Sequence, residues 1–188
     1  EHRDEMKLAV QLPNLWKFKT GDDKQWADPS TDDSKWQTLV VPLPWDYQGY
    51  EEYDGFGWYR VTFDVPDNLQ NEKLFVVLGK VDDIDEAYLN GTKIGNTGRM
   101  EGRRWIDNIQ EQYRELRVYR IPSSIIKYNQ KNVIALRVYD KMRYGGICEG
   151  PIGIINEREY KRLNLNDEIR RQNDKSKFER WMDIFFKD

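Results

Sequence analysis

Residues 45–60 read WDYQGYEEYDGFGWYR, and the fold turns on how this stretch is divided. Two Trp, four Tyr and one Phe sit among three Gly and four acidic residues, directly after the proline-bracketed run Val40-Val41-Pro42-Leu43-Pro44. The second half enters Trp58-Tyr59-Arg60-Val61-Thr62-Phe63-Asp64-Val65, where aromatic or apolar residues alternate with polar ones. A period of two marks a half-buried strand. The first half is loop, with flat rings that could cover the C–H face of a sugar and carboxylates that could accept from its hydroxyls.

Outward from that strand the pattern repeats. Leu15, Trp16 and Phe18 predict a first strand, and Leu39-Val40-Val41 a short one stopped by Pro42 and Pro44. Leu74 to Leu78 is nearly all apolar, as a strand buried on both faces would be. Ile84–Leu89 and Thr92–Ile94 flank Asn90-Gly91, a hairpin signal because both residues tolerate positive φ. Leu116–Ile121, Asn132–Tyr139 and Ile152–Ile155 complete the set, while Trp26 and Trp36 flank a polar loop and pin it to the core. Short strands with turn signals at intervals of about ten residues predict an all-β sandwich or jelly roll over residues 12–156. Residues 1–11 read as a polar lead-in and 157–188 as a charged extension. Within the extension, Ser176-Lys177-Phe178-Glu179 fits a capping box. Phe178, Trp181, Met182 and Phe185 then form one apolar stripe, which predicts a short C-terminal amphipathic helix. That stripe either packs on its own domain or docks a partner protein or missing domain.

Composition narrows the function. Thirty basic and 33 acidic residues leave a net charge of −3, with no electrostatic footprint for nucleic acid. No run approaches the length of a membrane span, and none reads as a signal peptide; the chain starts at Glu1, as a processed or trimmed chain would. Cys148 is the only cysteine and His2 the only histidine. An intrachain disulfide is therefore impossible, and His-based triads, Cys–His dyads and His metal centres are excluded as expectations. Any catalysis would rest on carboxylates.

If successive strands alternate in direction, one end of the sandwich collects the segments 45–56, 80–83, 96–112 and 140–150. These are long, and long loops on a rigid scaffold carry binding sites. The candidate ligand-binding residues there are Trp45, Asp46, Tyr47, Tyr50, Tyr53, Asp54, Arg99, Arg104, Trp105, Arg143, Tyr144 and Glu149. Tyr47, Tyr50 and Tyr53 are expected to be exposed, whereas Trp45 either stacks on ligand or plugs the sandwich. Trp58 is expected in the core. The run Asp82-Asp83-Ile84-Asp85-Glu86 has three readings. It is a set of turn carboxylates paired with backbone N–H groups or Arg, a calcium site at Asp82 and Asp83, or a glycosidase acid/base pair. Side-chain alternation along a strand argues against a working pair of neighbours. Asn90-Gly91-Thr92 also matches an N-glycosylation sequon.

Taken in order, these residues resemble a known family. Trp16, Phe18, Gly21-Asp22-Asp23, Trp36, Val41-Pro42 and Trp45 lead into Asp54-Gly55-Phe56-Gly57-Trp58-Tyr59-Arg60, then Phe63, Val65 and Pro66. Gly79-Lys80-Val81-Asp82-Asp83, Tyr88-Leu89-Asn90-Gly91, Asn132, Ala135, Arg137, Val138, Asp140, Gly145-Gly146 and Gly150-Pro151 follow. The chain resembles the sugar-binding N-terminal jelly roll of family 2 glycoside hydrolases, of the galactose-binding-like superfamily, over residues 14–156. The resemblance implies a carbohydrate-binding role, with a glycan or oligosaccharide as partner and an extracytoplasmic location. It implies no required cofactor and no catalysis in this module, because in that family the catalytic glutamates lie in a separate TIM barrel. No barrel fits in the residues that remain.

Overall fold

A computed structural model describes residues 5–102 and 104–165 of the chain. Ten strands form: β1 (Val10–Gln11), β2 (Leu15–Thr20), β3 (Gln37–Val40), β4 (Gly55–Asp64), β5 (Leu74–Asp82), β6 (Ile84–Leu89), β7 (Thr92–Thr97), β8 (Leu116–Ile121), β9 (Lys131–Asp140) and β10 (Gly146–Asn156). They make two sheets, ordered β3-β2-β4-β9-β6-β7 and β1-β10-β5-β8, with every pair antiparallel. Each strand predicted from alternation is present. The lead-in also contributes, since Val10 and Gln11 pair with Ile154 and Gly153 at the edge of the smaller sheet.

Alternation along β4 explains the layering. Tyr59, Val61 and Phe63 face the smaller sheet and pack with Val76, Leu78, Leu136, Val138 and Ile154. Trp58 is fully buried as expected, but on the outer face. There the 21–36 loop covers it with Trp26, Ala27 and Trp36. Val77 and Ile155 point out of the smaller sheet and are covered by Leu165 and the helix α1 (Glu157–Arg162). Tyr160 of α1 stacks on Phe75 with ring centroids 4.1 Å apart. So Leu74–Leu78 is buried on both sides, as its unbroken apolar run required. The stripe Phe178, Trp181, Met182, Phe185 lies outside the described residues.

Two connections close tighter than the sequence suggests. β5 and β6 are joined by Asp83 alone, so the chain changes sheets in one residue. β10 begins at Gly146 and shortens the predicted 140–150 loop to 141–145. Gly150-Pro151 hides this strand from pattern reading, yet register shifts on both sides of Glu149 absorb the proline. At one such shift Gly79 has φ +65°, and a Cβ there would meet the Glu149 carbonyl oxygen at 1.7 Å.

Asn90 shows why the sequon reading fails. Its amide nitrogen donates to Ile125 O at 2.8 Å and Asn132 Oδ1 at 2.9 Å, and its Oδ1 accepts from Val133 N at 2.9 Å. The atom that glycosylation would modify is committed to holding the β6–β7 turn against β9. The free edge at β3 is also managed. Gln48 Oε1 accepts from Val40 N at 2.7 Å and its Nε2 donates to Val40 O at 3.0 Å, so a side-chain amide occupies part of an edge open to strand pairing.

From β4 onward strand directions alternate as expected. β3 and β4 do not, because both pair antiparallel with β2 and so run the same way, and 41–54 crosses the sandwich from the Leu15 end of β2 to the Thr20 end. The end at which β4 begins gathers the second half of that crossing, Asp83, 98–115 and 141–145; the other gathers 65–73, Asn90-Gly91 and 122–130.

Candidate functional site

Trp45 plugs the sandwich and is not free to stack on a ligand. It opens a one-turn helix (Trp45–Gln48) and is fully buried. Its ring lies nearly parallel to Tyr59, at 6.3 Å and 16°, and against Phe18 at 5.3 Å. Its Nε1 donates to Tyr53 O at 3.3 Å. Close approach is possible only because Gly57 and Gly145 lack side chains, as a Cβ on either would lie 2.6 or 2.2 Å from the indole. Tyr50 and Tyr53, expected in solvent, are half-buried around it. Tyr50 meets Phe18 edge-on, and the Tyr53 hydroxyl donates to Phe56 O at 2.8 Å. Asp46 is buried and accepts from Gly145 N at 2.9 Å, tying this turn to the 141–145 loop. These four residues build the end of the sandwich and offer no open stacking surface.

What remains exposed is narrower. Tyr47 and Tyr144 keep 62% and 50% of their surface in solvent and lie together, with centroids 5.4 Å apart and planes 30° from parallel. Met142 beside them is also exposed, as are Arg143 and Asp54. Arg143 sits at φ +74° in the tight 141–145 turn.

At the same end of the sandwich three carboxylates converge. Asp82, Asp83 and Asp140 each place an oxygen within 4.8 Å of the others. Strand alternation does not separate Asp82 from Asp83, because Asp83 is a corner between sheets and no longer part of a continuous strand. Asp140 ends β9 and is level with that corner, because Tyr139 pairs with Ile84. Asp83 Oδ2 accepts from Lys141 N at 2.9 Å, and Asp140 Oδ1 from Met142 N at 3.2 Å. Asp140 Oδ2 is buried with no donor. Burial pushes the Asp82 carboxyl up to about 8, helped by the neighbouring Asp83 and Asp140. It pushes Asp140 up to about 7, with Asp83 adding repulsion. Cys148, half-buried nearby, is pushed up to about 12 by burial and stays a thiol. The carboxylates stand closer together than the ~5–9.5 Å of glycosidase pairs.

The rest of the 82–86 run consists of structural carboxylates paired with Arg and other donors. Asp85 points between the sheets and pairs with Arg117, Nε to Oδ1 at 2.6 Å, both fully buried. Tyr119 O–H donates to Asp85 Oδ2 at 2.6 Å. Glu86 points to the other face and receives Arg137 at 3.0 Å, Lys93 at 2.7 Å and the Tyr88 hydroxyl at 2.9 Å. Burial alone would raise the Glu86 carboxyl, but these donors outweigh it and hold it at about 2 against an ordinary 4.5. A depressed carboxylate contributes stability above its unfolded pKa and loses it as pH falls through its folded one. Glu86→Gln should therefore cost on the order of 2–3 kcal/mol at neutral pH. In urea titrations the gap between parent and variant should narrow below pH 4.5 and close near pH 2. A gap independent of pH would contradict the assignment.

The 98–115 segment is placed differently from expectation. Trp105 is half-buried, packing on Tyr139 at 4.7 Å and Phe56 at 6.0 Å. The Arg137 guanidinium also lies over the Phe56 ring, at 4.5 Å. Arg104 is exposed with Asp107 at 3.9 Å, and Arg99 is exposed. Among the described residues, no ring contact, hydrogen bond or ion pair joins Arg99, Arg104 or Trp105 to the Tyr47–Tyr144 pair. Glu149 belongs to β10 and not to a loop; it pairs with Lys80 at 2.7 Å. Asp140 is the site residue that sequence reasoning misses. Its signal is a carboxylate ending a strand immediately before a Gly-containing turn.

Among the described residues no helix is long and apolar enough to cross a membrane. Residues 21–143 match the family described as the β-galactosidase second all-beta domain. A β-galactosidase of Bacteroides ovatus is 30% identical over 135 residues, covering 65% of this chain and 14% of that protein. A β-glucuronidase of Formosa agariphila is 27% identical over 93 residues, covering 43% of this chain and 10% of that protein. Among solved structures, a Bacteroides uniformis β-glucuronidase superposes with a TM-score of 0.58 at 24% identity, over 75% of this chain and 17% of that one. A family 2 glycosyl hydrolase of Bacteroides cellulosilyticus gives 0.58 at 20%, over 74% and 20%. At these identities the structural likeness speaks for the fold. The match spans only 10–14% of the length of these curated relatives.

Proposed function

The chain belongs to the family of the β-galactosidase second all-beta domain, a domain of glycoside hydrolase family 2, and from that premise we propose that it binds carbohydrate without cleaving it. The observation that carries this reading is the Tyr47–Tyr144 pair. These are two of the exposed aromatics, side by side at the end of the sandwich that also holds Asp82, Asp83 and Asp140. Rings presented this way suit the C–H face of a sugar. The ligand is a glycan or oligosaccharide, and its polymeric forms lie outside the cell, so the proposed location is extracytoplasmic. In a longer glycoside hydrolase this domain would present substrate to a catalytic domain elsewhere in the chain.

Affinity should be modest, since each polar contact nets only about 0.5–1.5 kcal/mol. Calorimetry against an oligosaccharide panel should find a ligand, and Tyr144→Ala should weaken it by about 1–3 kcal/mol, taking the loss of a ring stacked on a ring-like ligand as the scale. The variant should unfold at the parent's urea midpoint, because Tyr144 is half exposed. Equal affinity in parent and variant would rule out the tyrosine platform as the binding surface.

A second reading, packing on another domain or protein, has its own support. Leu15 and Val40 pair across β2 and β3 and expose 56% and 43% of their surface. That apolar spot lies on the edge of the larger sheet, apart from the tyrosine pair.

A further inference from the structure

Three carboxylates converge at the corner between β5, β6 and β9, and the backbone amides supplied there do not satisfy them. We propose that Asp82, Asp83 and Asp140 hold a divalent cation of the calcium class. One oxygen from each lies within 4.8 Å of the others, a spread that a cation with oxygen ligands at about 2.3–2.6 Å can span. Lys141 N and Met142 N take one oxygen each of Asp83 and Asp140 and fix both side chains. Asp140 Oδ2 is left fully buried with no donor, and a buried acceptor in that state calls for a partner, which a cation shared by the three carboxyl groups would supply. Asp82 is half-buried and gives the site a mouth to solvent.

The neighbouring cation cannot serve. Arg117 lies below the corner, but its N–H groups go to Asp85 Oδ1 and to the carbonyls of Val81, Asp83, Glu115 and Gln112. All three candidate ligands are hard carboxylate oxygens, which selects calcium or magnesium over zinc or copper. A cluster built from a strand end and a one-residue corner has no octahedral regularity, and calcium tolerates that better than magnesium.

The test uses the full chain after chelator treatment. Calorimetric titration with calcium chloride should show one site with Kd on the order of 0.1–1 mM, the range of low-affinity extracellular modules. Magnesium chloride should bind more weakly. Terbium(III) should bind at the same place and luminesce through nearby aromatic rings. Asp140→Asn and Asp82→Asn should each weaken calcium by at least ~10-fold. In chelator, both variants should melt no lower than the parent, because each removes one of three crowded charges; a purely structural role predicts the reverse. Should Asp140→Asn fail to fold, the half-buried Asp82→Asn carries the test alone. A folded parent that binds no calcium, or affinity unchanged in the variants, overturns the proposal. Glycan binding measured in chelator separates the two claims: sugar affinity without calcium affinity removes the cation site and leaves the sugar reading standing.

Discussion

Trp45→Ala should cost about 3–5 kcal/mol of folding stability, seen as a lower urea midpoint. The indole is fully buried and touches rings from three parts of the chain, Phe18, Tyr53 and Tyr59. Gly57 and Gly145 are shaped to it so closely that neither has room for a methyl group beside it. Removing it leaves a cavity whose walls include the backbone of 145, and a strand and turn cannot collapse inward without breaking β4 or the 141–145 loop. The platform should suffer as well. Trp45 N donates to Gly145 O at 3.0 Å, and Tyr144 is the adjacent residue. Any sugar binding should therefore weaken together with stability. Had Trp45 been an open stacking residue, the variant would keep the parent's midpoint and lose affinity alone. That outcome would contradict the burial of the indole between the sheets.

Arg117→Met should be as damaging, at about 3–5 kcal/mol, for an electrostatic reason. It removes the partner of a fully buried carboxylate, Asp85, at a depth where water cannot replace it. Four backbone carbonyls lose a donor at the same time, among them Val81 O at 2.7 Å and Asp83 O at 2.8 Å. Those two carbonyls flank the corner that carries Asp82 and Asp83, so the acidic group should loosen too. The double variant Arg117→Met, Asp85→Leu should recover much of the loss, because replacing a buried pair by apolar groups is often near neutral. Urea unfolding of the two singles and the double forms a cycle that measures the coupling. A single variant within about 1 kcal/mol of the parent would mean that the pair is solvated, contrary to its burial.

The strands were legible because the pattern that names them is the one that buries them. Gly57 to Phe63 alternates, and the alternation sorts Tyr59, Val61 and Phe63 inward and Trp58 and Arg60 outward. From β4 onward direction then followed from chain order, whereas β3 and β4 run the same way because both pair antiparallel with β2. β10 was only partly legible, since Gly150-Pro151 looks like a loop until bulges let it pair. Burial within the aromatic loop was not legible at all. Trp45, Tyr50 and Tyr53 differ from Tyr47 only in what the chain brings to them, and Phe18, Gly57 and Gly145 come from distant positions. The same holds for Asp140, which joins the candidate acidic group only when β9 pairs with β6 and sets it level with Asp83. Residue types pointed to one end of the sandwich as the candidate; three-dimensional contacts chose which of them face solvent.

That division makes one measurement decisive for the central claim, that the loop end binds sugar through its exposed tyrosines. Amide chemical-shift mapping during titration with the best oligosaccharide from the panel reads every loop at once. The account predicts shifts concentrated at 46–49, 82–83 and 140–145, with 65–73 and 122–130 unmoved. Shifts confined to the opposite end, or none with any sugar at millimolar concentration while the chain stays folded, would contradict it.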